Sequence, residues 1–408
     1  MSVLITDGNE RSTLAVTRAL GRAGVSVTVA SSNLRSLAGS SRYCSERLCY
    51  PSPMQAPQDF QAWLVDTIAN RKYEVLIAMT DVTTFLVAQI REALAPYVRL
   101  TLPSEHEILL AQDKGYMLAL GKRLGVACPE TYMLEDDERL EDVASKVSYP
   151  VVIKPRFSWT LRQGQWVPGK VEYAHSAEEL IAKYEKSHAK IPRPLIQEKI
   201  DGEGKGVFLL LWNGELKAAF CHRRLREKPP WGGVSVYRDS IPLDQEMLKK
   251  SLTLLQAIGW QGPAMVEYKV DSRDGQAKLM EVNGRFWGSL QLGVDAGINF
   301  PLILYRLALG EDVPVQLDYK VGVKSRWLLG DLDQLLIQLT HSRRENGFSR
   351  ATTSKLQAGL DFMKFWEKDL HYEVFRFEDP GPGWYEWKSY VRETTRRADS
   401  QTEKASAH

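Results

Sequence analysis

The sequence predicts an α/β protein: an N-terminal parallel sheet interleaved with helices, then an α+β body of antiparallel ribbons, then a C-terminal extension. Three observations carry this. Strand-like and helix-like segments alternate through residues 1–102. Asn213-Gly214 separates two apolar runs as a hairpin turn does. The stretch Lys278-Leu-Met-Glu-Val-Asn-Gly-Arg285 sets an acid, an amide and a guanidinium at alternate positions of a strand.

Val3–Gly8, Thr13–Gly24 and Val25–Ala30 read as strand, helix and strand. Further strands follow at Arg47–Tyr50, Val75–Met79 and Val98–Thr101, with helices near Asp59–Asn70 and Asp81–Leu94. Strands alternating with helices imply a parallel sheet. The first turn, Thr6-Asp-Gly-Asn-Glu-Arg-Ser12, has one glycine and lacks the G-x-G-x-x-G fingerprint, which disfavours nicotinamide binding. Asp81 ends a strand and opens a helix, where open α/β sheets collect ligands. It is a candidate substrate residue, with a simple N-cap as the other reading.

From Pro103 the pattern turns helical. Ser104-Glu-His-Glu107 is a capping box, and Asp113 caps a helix over Lys114–Leu124 that stops at Gly125. Tyr149–Pro155 gives a short buried strand ending in Lys154, whose ammonium needs a partner or an exit to solvent. A helix over Ala177–His188 precedes the strand Leu195–Ile200 and the glycine-rich turn Asp201–Gly206. After the hairpin strands Val207–Trp212 and Leu216–Phe220, a basic loop is expected from His222 to Ser235, then a helix over Asp244–Ile258. Leu302–Leu309 and Leu332–Thr340 look helical, and the polar residues 392–408 fit a disordered tail.

The chemistry concentrates in one hairpin. Glu281, Asn283 and Arg285 share a strand face, while Met280 and Val282 are expected to point into a core. Ala264–Val270 and the turn cluster Asp271–Gly275 bring Glu267 back towards Glu281. The two acids converge only if the loop is odd-numbered or bulged; a strict two-residue turn at Asp274-Gly275 would pair Glu267 with Val282. Facing carboxylates repel, so the pattern points to a divalent metal on phosphate oxygens, with an arginine for an oxyanion. A solvated strand face with one salt bridge is the alternative. In the basic loop, Arg223, Arg224 and Arg226 are candidates to clamp a substrate carboxylate, with Gly232-Gly233 allowing close backbone approach.

Composition bounds the partners. With 408 residues, the chain is long enough for two or three domains. Lys and Arg number 53 against 51 Asp and Glu, so no global field recruits nucleic acid or membrane. Cys44, Cys49, Cys128 and Cys221 form no metal-spaced set and read as reduced thiols. No apolar run could span a bilayer and the N-terminus opens on a strand, so a soluble, cytoplasmic protein is expected.

The ordered motifs resemble those of the ATP-grasp superfamily: Lys114 at a helix start, Val-Ile-Lys154-Pro, Leu-Ile-Gln197-Glu-Lys-Ile-Asp-Gly-Glu203, Val-Glu267-Tyr and Glu281-Val-Asn283-Gly-Arg285. The resemblance covers roughly residues 1–315 and is strongest to the carbamoyl-phosphate-synthetase-like carboxylate–amine ligases. It implies a Rossmann-like pre-ATP-grasp domain over 1–102 and a two-subdomain ATP-grasp domain over 103–315, divided into 103–195 and 196–315. An extension over 316–391 and the tail over 392–408 follow. It further implies ATP and Mg²⁺, or Mn²⁺, as cofactors. Lys114 and Lys154 would contact phosphates, Gln197, Glu198 and Ile200 the adenine, and Glu203 the ribose. Glu267, Glu281 and Asn283 would hold the metal, and Arg285 and Lys154 would act on the transferred phosphoryl group. One departure is the bulky, glycine-poor stretch Arg156–Gly169, where a small glycine- or serine-rich lid is usual; Arg156 and Arg162 could supply charge instead. The implied reaction joins a small-molecule carboxylate to an amine through an acyl phosphate, releasing ADP and phosphate, in a chain compatible with a homodimer. A non-ligating ATP- or nucleotide-sugar-binding protein and a Rossmann-type oxidoreductase or glycosyltransferase stay open as other classes.

Overall fold

A computed structural model describes residues 1–135, 138–230, 232–340 and 354–406, with side chains to residue 396. Strands β1 (Ser2–Ile5), β2 (Ser26–Ser31), β3 (Glu46–Cys49), β4 (Val75–Ile77) and β5 (Arg99–Leu100) form a parallel sheet in the order β3-β2-β1-β4-β5. Val3, Leu4 and Ile5 are wholly buried, as a strand covered on both faces requires. Helices α1 (Arg11–Arg22), α2 (Pro57–Asn70), α3 (Asp81–Gln89) and α4 (Arg91–Leu94) supply that cover, the expected Asp81–Leu94 helix breaking at Ile90. Strand order reverses between β1 and β4, so the turns after them, at Asp7 and Thr80-Asp81, flank the sheet's natural ligand crevice.

Helices α5 (Glu105–Gln112) and α6 (Lys114–Arg123) lead to a four-stranded sheet of β6 (Thr131–Tyr132), β7 (Val151–Lys154), β10 (Glu172–Ala174) and β11 (Leu195–Glu198), ordered β10-β7-β11-β6. The bulky stretch after Lys154 is a separate hairpin, β8 (Trp159–Arg162) and β9 (Gln165–Pro168). Helices α7 (Leu140–Lys146) and α8 (Ala177–Lys190) close over this sheet, and Val151, Ile153, Ile196, Leu180 and Tyr184 give it a core of its own.

The body is a seven-stranded sheet ordered β16-β15-β12-β13-β14-β17-β18. Its strands are β12 (Gly202–Trp212), β13 (Glu215–Lys228), β14 (Val234–Ser240), β15 (Gly262–Asp271), β16 (Ala277–Asn283), β17 (Lys324–Arg326) and β18 (Leu370–Tyr372). Alternation sorts their side chains between two cores. Val207, Leu209, Ala219, Cys221, Val266 and Tyr268 pack with Leu254 and Leu255 of helix α9 (Gln245–Ala257). Phe208, Leu210, Phe220 and Met265 pack with Leu290 and Leu292 of α10 (Leu290–Ala296) and Leu304 of α11 (Phe300–Ala308). The expected basic loop from His222 to Ser235 is not a loop: its first half continues β13 to Lys228, because β12 and β14 both present backbone partners to it.

Helices α12 (Leu328–Thr340), α13 (Lys355–Phe362) and α14 (Gly381–Ser406) complete the described chain. The polar end expected to be unstructured is therefore helical to Ser406. The Trp327 indole donates to Glu386 and Tyr390 donates to Asp333, fixing the start of α14. Residues 407–408 of that expected tail lie outside the described residues.

Candidate active site

The acidic hairpin forms as the bulged register requires. Glu267 pairs with Glu281 across β15 and β16, and the register slips between Glu267 and Tyr268 so that Met280 is the extra residue. Met280 consequently lines the cleft instead of entering the core, while Val282 is buried as expected. Gly284 is needed where it stands: a methyl there would lie 2.2 Å from the Trp260 indole.

Asn283 lies between the two acids, its Nδ2 donating to Glu267 Oε1 and to Glu281 Oε1, both at 3.2 Å. Its Oδ1 accepts from Arg285 Nη2 at 3.2 Å, and Arg285 Nε meets Asp81 at 3.1 Å. Asp81 thus joins the site by holding the arginine. Lys114 approaches Glu281 at 3.6 Å and donates to Ser158 Oγ at 2.9 Å. Lys154 lines the main cleft, a cavity of about 430 Å³, whereas Lys114 and Ser158 line a small adjoining pocket that shares Glu281 and Asn283 with it.

Electrostatics divides the two acids. Burial and its neighbour Glu281 raise the Glu267 carboxyl despite its ion pair with Arg224. Burial would raise Glu281 too, but Lys114 and Lys154 outweigh it and hold this carboxyl down. Burial lowers the Lys154 ammonium to about 8, and the neighbouring Lys114 pushes the same way. His222, beneath the cleft, is held neutral by burial and by Arg224 and Arg238.

The three arginines separate. Only Arg224 lines the cleft, where it holds Glu267 and Glu227. Arg223 points through the opposite face to Asp239 and Glu203, as its odd position on β13 dictates. Arg226, beyond a bulge, lies 4.5 Å over the Tyr237 ring and pairs with Asp331. A three-arginine clamp does not exist. Gly233 does line the cleft, and a methyl there would lie 2.4 Å from the Lys228 carbonyl oxygen.

The strand motif around Gln197 also splits. Glu198 and Ile200 line the cleft, with Glu198 tied to Arg273. Gln197 is buried against Thr131, to which it donates at 2.9 Å. Glu203 sits on the far face with Arg223, away from the cleft that a ribose would occupy. In the bulky hairpin, Arg156 pairs with Asp113 and Arg162 bonds the carbonyls of Ala189 and Lys190, so neither supplies charge to the cleft. Trp166 docks the hairpin by stacking edgewise on Phe85 and donating to the Pro53 carbonyl.

Sequence reasoning missed Arg11, which lines the cleft from the start of α1. Its signal was its position just after the first strand, at the ligand-collecting end of a parallel sheet.

Two carboxylates and an amide on one face, flanked by lysines, suit a hard cation that keeps waters and shares phosphate oxygens. Among the described residues no cluster of three His, Cys, Asp or Glu offers a fuller cage.

A parallel sheet followed by a small antiparallel sheet and a large, mainly antiparallel one, with a cleft between the latter two, is the ATP-grasp fold. Residues 190–329 match the family described as ATP-grasp in the biosynthetic pathway with Ter operon. Among solved structures, the biotin carboxylase domain of Hydrogenobacter thermophilus 2-oxoglutarate carboxylase, in complex with MgADP, ADP and bicarbonate, superposes with a TM-score of 0.62 at 17% identity, over 79% of this chain and 73% of that one. An L-amino acid ligase from Bacillus licheniformis gives 0.60 at 19% identity, over 76% and 75%. N5-carboxyaminoimidazole synthetase from Staphylococcus aureus gives 0.63 at 13% identity, over 88% and 95%. No curated protein matches the sequence. No helix among the described residues is long and apolar enough to cross a membrane.

Proposed function

We propose that this chain is an ATP-dependent ligase that activates a carboxylate as an acyl phosphate and joins it to an amine, releasing ADP and phosphate. The observation that carries the reading is the meeting of Glu267, Glu281, Asn283 and Lys154 on one cleft, with Lys114 reaching Glu281 from a small adjoining pocket. The fold is shared with an L-amino acid ligase and with proteins crystallised with ADP.

Glu267, Glu281 and Asn283 would hold Mg²⁺, which when bound neutralises phosphate oxygens and so eases attack on phosphorus. Val152 and Ile200 offer apolar walls to the adenine, and Lys114 and Lys154 place positive charge along the phosphates. Arg285, kept in plane by Asp81 and Asn283, faces the developing charge of the transferred group. A carboxylate oxygen attacks the γ-phosphorus and ADP leaves. The amine then attacks the acyl carbon, phosphate departs, and the amine's proton passes to solvent or phosphate. Phosphoryl transfer depends mainly on positioning and charge neutralisation, which matches a cleft rich in cations.

The test is ADP release across a matrix of acids and amines with Mg²⁺. Glu281→Ala should lower the rate by about 100-fold or more, the scale of losing one charge-stabilising group. The fold should stay intact, because the substitution removes a metal ligand and no core volume. Normal turnover in that variant would overturn the metal assignment.

A further inference from the structure

Arg11 is built differently from the other cations of the cleft. Its guanidinium lies 3.9 Å over the Trp327 ring, and its Nη1 meets Glu373 at 2.5 Å. The same Glu373 oxygen meets Arg238 Nη2 at 2.5 Å, and both Glu373 and Arg238 are wholly buried. Two guanidiniums meet this one carboxylate; Glu10 and Glu386 also feel the charge of Arg11, but burial raises both carboxyls toward the neutral form, so the nearly dry wall keeps positive charge. An uncompensated charge in such a place is costly unless an anion joins it.

The unused donors of Arg11 show where that anion would sit. Among the described residues neither Nε nor Nη2 of Arg11 has a partner. Nη2 points at Gly288, where a methyl would come within 3.3 Å of it. Gly288 and Arg285 line the same cavity as Arg11, so the free edge opens toward the phosphoryl-transfer point without belonging to it. Arg285, by contrast, has its Nε, Nη1 and Nη2 engaged by Asp81, the Phe286 carbonyl and Asn283.

We infer that the acid substrate carries a second anionic group, a carboxylate or a phosphate ester, which seats on Arg11 while the first carboxylate is activated beside Arg285. This rests on the ligase reading above. Trp327 and Glu373 are positioning residues: they come from the segment beyond residue 315 and hold the guanidinium flat with one edge free. Stacking and the ion pair remove the rotamer freedom that a lone arginine would lose on binding. The C-terminal segment thereby sets which acids fit.

The experiment measures ADP release and melting temperature with butyrate, succinate, glycerate and 3-phosphoglycerate, in wild type and Arg11→Gln. Wild type should prefer a doubly anionic acid, succinate or 3-phosphoglycerate telling which kind. Arg11→Gln should raise KM for that acid about 10- to 100-fold, the worth of a charged hydrogen bond, and leave KM for ATP in place. Equal use of singly and doubly anionic acids by wild type, or a preference that survives in Arg11→Gln, overturns the inference. If no acid releases ADP the ligase reading falls. The melting shift in the presence of Mg²⁺ and a non-hydrolysable ATP analogue then still decides Arg11: a rise confined to doubly anionic acids and lost in Arg11→Gln supports it, and its absence refutes it. Should Arg11→Gln fail to fold, Arg11→Lys keeps the charge for Glu373 but loses the planar fork. It should show a smaller rise in the same KM, and an unchanged KM refutes the anchor.

Discussion

Raising the pH from 7 to 9 interrogates the environment of Lys154. Burial in the cleft wall brings its ammonium to about 8, so at pH 7 about nine-tenths of the free protein carries the charge and at pH 9 about one-tenth does. A bound triphosphate favours the charged form and restores the proton. Recharging the lysine at pH 9 costs about 1.4 kcal/mol of binding energy, against almost nothing at pH 7. Affinity for ATP should therefore fall about tenfold between those values, and near pH 8 binding should take up about half a proton. Titration calorimetry in buffers of differing ionisation enthalpy reads both quantities. Lys154→Arg, charged throughout, should bind with little pH dependence. A flat wild-type affinity, or an equal slope in the arginine variant, would refute the reasoning. The sign also fixes stability without ligand: between 8 and the ordinary lysine 10.5 the unfolded chain binds more protons, so stability from this group rises with pH across that window.

The C-terminal segment offers two further tests. Arg18 is buried on α1 and donates to Asp379 and to the carbonyls of Glu373 and Val374, each at 2.8 Å; Arg18→Met should cost about 3–5 kcal/mol in urea unfolding, and a loss below about 1 kcal/mol would contradict the buried network. Burial raises the Glu386 carboxyl to about 7 from an ordinary 4.5, although the Trp327 indole bonds it. The folded state then holds more protons across that interval, so the stability this group confers is full below 4.5 and lost as pH rises through 7. The unfolding free energy of Glu386→Gln should pull ahead of wild type over that range, by up to about 3 kcal/mol, and then level off; a constant gap would rule the shift out.

Legibility followed locality. The N-terminal sheet was readable because β1, β2 and β4 are buried, largely apolar runs and helices α1, α2 and α3 fill three of its four connections. The acids Glu267 and Glu281 were readable because two-residue periodicity assigns faces, and the bulge was foreseen as the condition for their meeting. What periodicity could not supply was the partner strand. Arg223, Arg224 and Arg226 looked like one loop, yet pairing with β12 and β14 made a strand of them and sent two away from the cleft. Glu203 failed as a ribose ligand for the same reason: its face depended on a register that no local pattern specifies. Arg11 and Glu373, far apart in sequence, met only through the long-range packing of the two ends of the chain.

That closure of the ends has a practical bearing on where this molecule can be cut. The stretch that matches the family ends at residue 329, ahead of Glu373 and Asp379. A protein trimmed there would keep Glu267, Glu281 and Asn283 but strand the guanidiniums of Arg18 and Arg238 in an oily interior without Asp379 and Glu373. Sequence similarity outlines the chemistry of this enzyme fold, and a longer span of polypeptide is what lets it stand.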